Sequence, residues 1–126
     1  MFELMKKVGY TGMEFRREHE RRGAQIIYDF LIKEGADQAF ASRVKSIVAV
    51  HEEGGDDDQN TMKDADSVSF FENLNDLFPP DEIRALGYEK AHLKFDWMFE
   101  RICSDKAKKL ARPNYEKLQN FLETLK

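Results

Sequence analysis

The spacing of the apolar residues constrains this chain most. From Phe15 to Leu125 they recur at three- and four-residue intervals, and no useful stretch alternates with the period of two that a half-buried strand requires. Three prolines and seven glycines are the only strong punctuation, so the segments between them are long. The pattern predicts an all-α fold, a single compact domain of five to six helices over residues 1–126, with no internal repeat and no linker. A chain of 126 residues buries one modest core and not two. Thr11 with Glu14 has capping-box spacing and opens a helix that runs to Lys33 and stops at Gly35. Asp37 N-caps a second helix that reaches Gly54-Gly55, and Thr61 with Asp64 starts a third that reaches Leu77 before Pro79-Pro80. A helical turn at 81–86 and helices at 89–103 and 104–125 follow, the last bent or restarted near Pro113.

Composition removes several function classes. Lys and Arg total 20 against 24 Asp and Glu, a net charge of −4, whereas a dedicated nucleic-acid binder carries a basic excess. No apolar run approaches the roughly 18–20 residues that cross a bilayer, and MFELMKKVGY lacks a signal peptide's apolar centre. The single Cys excludes an internal disulfide framework and a four-thiolate zinc site, and it fits a reducing, cytoplasmic setting.

Stepping residues at about 100° per position places three polar side chains inside apolar stripes. His19 lies among Phe15, Gly23, Ile26 and Phe30. His51 lies on the stripe of Phe40, Val44, Ile47 and Val48, one turn before the expected helix end. Asp66 has Met62 and Phe70 one turn away on either side, and Asp64 cannot be separated from it by angle because that helix is apolar nearly all round. An inward carboxylate needs a partner or a metal. These residues therefore form either a hydrogen-bonded polar core or a divalent-ion site of imidazole and carboxylate.

The ordered set His19-Glu20-Arg21-Arg22-Gly23-Ala24, then Val44, Ile47-Val48 and His51-Glu52 before Gly55, then Lys63-Asp64-Ala65-Asp66-Ser67-Val68 resembles the HD-domain superfamily of metal-dependent phosphohydrolases, over His19 to Phe71. The resemblance implies a helical fold and a divalent metal (Mn, Fe, Co, Ni, Zn or Mg) acting on a small phosphorylated substrate or nucleotide. It implies His19, His51 and Asp66 as ligands and Glu52 and Asp64 as second-shell or substitute ligands. Arg22 and Lys63 flank that site as candidate anion contacts, equally well explained as the solvated faces of their helices. No His-Asp dipeptide occurs in the chain. His51-Glu52 can be placed at that doublet with Glu for Asp, but it stands only 15 positions ahead of Asp66, and the family's later His-Glu element is the preferred match. On that alignment the 18 residues before His19 are too few for the first ligand-bearing helices, and the site is incomplete or degenerate. A domain short of those helices leaves apolar surface that a homodimer would cover. No nucleic acid or membrane partner is expected, and the alternative is a non-catalytic helical interaction domain.

Other motifs fail on spacing. Asp56, Asp58 and Asn60 begin like a calcium loop, but Thr61 stands where its Gly belongs and Ser67 where its bidentate Glu belongs, so a solvated acidic turn is expected. Cys103 has His92 about three turns away and no nearer base, which makes it a small core or boundary residue. Arg101 is expected as a surface or ion-paired residue.

Overall fold

A computed structural model describes residues 13–126. Among the described residues there are seven helices and no strand: α1 (Met13–Lys33), α2 (Gln38–Val48), α3 (Asp57–Glu72), α4 (Leu74–Leu77), α5 (Pro80–Leu86), α6 (Tyr88–Glu100) and α7 (Asp105–Glu123). The all-α expectation holds. The Thr11 part of the capping box and the Phe15 side chain lie outside the described residues.

Local chemistry sets the helix ends. Gly35, at φ 88°, takes the left-handed turn that stops α1, and the Asp37 carboxylate accepts from the Ala39 and Phe40 N–H groups to start α2. The helix expected to reach Leu77 stops at Glu72, and Asn73 separates it from the short α4, so seven helices stand where five to six were expected. Two further boundaries differ from the sequence expectation. First, α2 ends at Val48 rather than at Gly54-Gly55, and tight turns at 49–53 replace its last coils. His51 therefore sits in the turn after the helix, its N–H bonded to Val48 O at 3.1 Å. Second, α3 is capped by Asp56 and not Thr61. The Asp56 carboxylate accepts from Gln59 N while Gln59 Oε1 accepts from Asp56 N, both at 2.9 Å. That reciprocal pair satisfies two orphan donors at once and places the cap five residues earlier. The last helix also departs from expectation: α7 runs continuously through Pro113. Residues 109 and 113 are both exposed, so Pro113 lies on the solvent side of the helix.

The core belongs to α3 through α7. Phe70 and Phe71 of α3, Phe78, Ile83 of α5, Phe95, Met98 and Phe99 of α6, and Ala111, Leu118 and Leu122 of α7 form one buried cluster. Phe95 is fully buried between Phe70 and Phe78, each with its ring centroid 5.7 Å away, and Tyr115 stacks on Phe99 at 4.2 Å. By contrast α1 and α2 form an antiparallel hairpin, and none of their described side chains belongs to this cluster. A Cβ on Gly23 would stand 3.5 Å from Val48 Cγ1, so the two helices pass closely. The hairpin joins the core through α2 against α3 and through the turn that follows α2. Among the described residues no helix is long and apolar enough to cross a membrane.

This division predicts unequal costs for truncating aromatics. Phe95→Ala should lower unfolding free energy by about 3–5 kcal/mol, as for other fully buried aromatics. Phe40→Ala, at a side chain 57% exposed, should change it by less than about 0.5 kcal/mol. Urea unfolding of both variants checks this, and equal losses would contradict the division.

Candidate functional site

Where α1, the 49–53 turn, α3 and α6 meet, an ionisable cluster replaces the apolar core. His19 comes from the middle of α1, at the level of the turn after α2 that carries His51 and Glu52. Their rings meet edge to face, with centroids 5.0 Å apart. Both Nε2 atoms point at one carboxylate oxygen, Glu52 Oε1, at 3.4 Å from His19 and 3.3 Å from His51. His51 and Glu52 are each 5% exposed.

The turn fixes the His51 tautomer. Its Nδ1 lies 2.6 Å from Val48 O, and a carbonyl only accepts, so Nδ1 carries a proton and donates it. In the neutral ring Nε2 is then a lone pair aimed at an anionic oxygen. Such convergence of acceptors is stable only with a cation between them, whether a proton on the imidazole or a metal ion.

Arg101, at the end of α6, holds the other side of Glu52. Its NH1 reaches Glu52 Oε2 at 3.3 Å and the His51 carbonyl at 3.1 Å, its Nε donates to Ser67 Oγ at 2.7 Å, and its NH2 pairs with Asp66. Ser67, fully buried on α3, passes its own proton to Met98 O at 2.7 Å. The indole of Trp97 carries Arg101 at 4.9 Å, Arg16 at 5.2 Å and the Lys94 ammonium at 5.3 Å from its ring centroid. Burial alone would raise the Glu52 carboxyl. The His51 hydrogen bond and the charges of Arg101, Lys94 and His51 overcome it and bring the group down to about 2. Burial pulls His19 below its ordinary value, against the attraction of Glu52. His51 feels the same burial, but Glu52 and the Val48 carbonyl raise it overall. Burial depresses buried Lys94 to about 8, and it raises buried Glu20, one residue after His19, to about 7.

Three ligand-type atoms, one each from His19, His51 and Glu52, lie within 4.8 Å of one another and could hold a metal ion. Around an ion with bonds of about 2.0–2.1 Å, tetrahedral ligand atoms stand about 3.3–3.4 Å apart, the spacing from each imidazole to Oε1. The Nδ1–H···O=C bond is also the outer-sphere support a metal-bound imidazole needs.

The structure brings together only part of the residue set read from the sequence. His19, His51 and Glu52 converge, with Glu52 central rather than auxiliary. Asp66 reaches the cluster through Arg101. Asp64 turns to the α6–α7 junction, where it accepts from Cys103 N at 2.8 Å and Ser104 N at 2.9 Å. Lys63 is buried there with its ammonium 3.0 Å from Cys103 Sγ, and Cys103 is exposed rather than part of the core. Arg22 is exposed beside Glu18. The acidic run is solvated only in part: Asp56 and Asp58 pair with Arg43, while Glu52 is interior. Sequence reasoning missed Glu20 and Lys94 and left Arg101 outside the site. Glu20 stands one turn before buried Ala24, and Lys94 is flanked on its face by buried Ala91 and Met98, so their spacing was the available signal. No protein-family model, curated protein or solved structure matches the chain.

Two measurements follow. Arg101→Met should cost about 3–5 kcal/mol, because it strands the buried Glu52 carboxylate and the Ser67 hydroxyl; a loss below about 1 kcal/mol would contradict the network. Glu20 is raised in the fold, so its neutral form is favoured, and it costs stability progressively as pH rises from its ordinary value of 4.5 through about 7. Glu20→Gln should therefore gain stability relative to the wild type at pH 8 and not at pH 4.5, as read from urea midpoints at the two pH values.

Proposed function

We propose that this chain is a divalent-metal protein of the metal-dependent phosphohydrolase type, with His19, His51 and Glu52 holding the ion. The observation that carries the reading is the aim of two imidazole Nε2 atoms at one carboxylate oxygen, at 3.4 and 3.3 Å. Support also comes from the outer side of each ligand: Val48 O orients His51, and Arg101 occupies Oε2 so that Oε1 is left for the ion. This favours placing His51-Glu52 at the position of the family's His-Asp doublet, with Glu for Asp, over the later His-Glu element. When bound, such an ion polarises a phosphoryl oxygen and lowers the pKa of a bound water. The chain's own residues do the rest: Arg101 keeps Glu52 ionised and fixed, and Lys94 and Arg16 place positive charge beside Trp97, where a small phosphorylated substrate or nucleotide would rest. Asp66 balances that charge through Arg101.

A second reading, a non-catalytic polar core, is favoured by one observation. The surroundings raise His51, and its imidazolium would satisfy Glu52 without any metal.

Metal analysis separates the two. On the first reading, protein purified without chelator carries about one equivalent of a transition metal, and added Zn or Mn raises Tm. A His51→Ala variant loses both effects, and metal-dependent release of phosphate from small phosphoesters is lost with them. Metal-free wild-type protein whose Tm does not respond to any divalent ion would overturn it.

A further inference from the structure

We infer that the outer face of the α1–α2 hairpin pairs with the same face of a second copy of this chain, about a two-fold axis. The two sides of the hairpin differ. One side carries Arg17, Arg21 and Lys45 around a shallow groove that Ala24 and Ala49 also line. On the other, the stripe that begins at His19 and His51 continues outward through Ile26 and Phe30 of α1 and Phe40, Val44 and Ile47 of α2. Its inner end is covered where the ionisable cluster meets α6. Its outer end is bare, with Ile26 68%, Phe30 55% and Phe40 57% exposed.

Three large apolar side chains more than half exposed on one face are a partner surface rather than ordinary scatter. Helix α1, of 21 residues, is about 30 Å long. The bare part of the stripe, from Ile26 to the end of α1, is about 12 Å long beside α2, which is the scale of a small, weak interface.

Charge identifies the occupant. The rim of the stripe along α1 carries Glu18, Arg22, Asp29 and Lys33, with signs − + − +. An antiparallel α1–α1 pairing with the axis between Gln25 and Ile26 sets Glu18 opposite the partner's Lys33 and Arg22 opposite the partner's Asp29. Each contact occurs twice, as two-fold symmetry requires. The same register brings the two Ile26 side chains together at the axis and places each Phe30 one turn away. Within its own helix Glu18 already meets Arg21 at 2.9 Å and Arg22 at 3.9 Å, and Gln25 donates to Asp29 at 2.9 Å, so the Arg22–Asp29 contact between copies forms in exchange for these exposed local ones. A self-complementary pattern of this kind suits a second copy better than an unrelated partner.

Sedimentation velocity on the full chain over a wide concentration range tests the pairing, with circular dichroism to confirm folding. The expected result is a reversible dimer at high concentration. Phe30→Glu should weaken it by about 30-fold or more. Asp29→Arg, which puts like charges face to face, should weaken it several-fold, and Arg22→Asp combined with Asp29→Arg should restore it. A monomer at every concentration would overturn the inference. So would a dimer insensitive to Phe30→Glu, or one that the double reversal fails to restore.

Discussion

The Arg101 guanidinium holds the parts of this molecule in register. One side chain, 5% exposed, bonds the carbonyls of His51 and Glu52, the Glu52 carboxylate, the Ser67 hydroxyl and Asp66, while its face rests on Trp97. It therefore ties the turn after α2 to α3 and α6, and among the described residues the α1–α2 hairpin shares no buried apolar cluster with them. A buried ion pair adds little net stability over well-packed apolar residues, but losing one partner is expensive because the other charge is stranded. Here the arrangement also fixes direction. With Oε2 taken by Arg101, Oε1 faces the two histidines, and the chemistry of the cluster follows.

Much of the fold was legible because it rests on local rules. Helical spacing located α3, α6 and α7, and Gly35 and Asp37 marked the hairpin turn through backbone sterics and capping. The end of α2 was not legible. Its apolar stripe continues at helical spacing through His51 while the backbone leaves the helix at Val48, closed by Gly54 at φ 80° with its N–H bonded to Val50 O. That misplacement carried into the site. Stepped along a continuing helix, Glu52 points 100° away from His51, whereas in the tight turn the two side chains meet. Thr61 lost to Asp56 because Gln59 completes a reciprocal capping box and Thr61 instead donates to Asp57 O. Asp64 and Asp66 could not be told apart on a helix apolar nearly all round; partners distant in sequence, Cys103 and Ser104 for one and Arg101 for the other, decided between them. Glu20, Lys94 and Arg101 are long charged side chains, which sequence statistics place on the surface. Only tertiary structure shows where their heads arrive.

A proton and a metal ion would compete for the same position between the imidazoles and Oε1. Burial lowers His19 while Glu52 raises His51, so one ring is biased toward the neutral, ligand-ready form and the other toward the imidazolium. Metal binding would displace that proton and depend on pH accordingly. The apolar stripe shared by α1 and α2 runs from this cluster to the tip of the hairpin. Pairing of hairpins would thus rest on the same two helices that carry His19 and lead into His51-Glu52.

The most direct test of the account is an anomalous-scattering map from crystals grown with Zn or Co. The account predicts one strong peak about 2.0–2.2 Å from His19 Nε2, His51 Nε2 and Glu52 Oε1, with Arg101 still on Oε2. Crystals that show no peak there, with His51 Nε2 bonded directly to Glu52, would contradict it and leave the cluster a polar core.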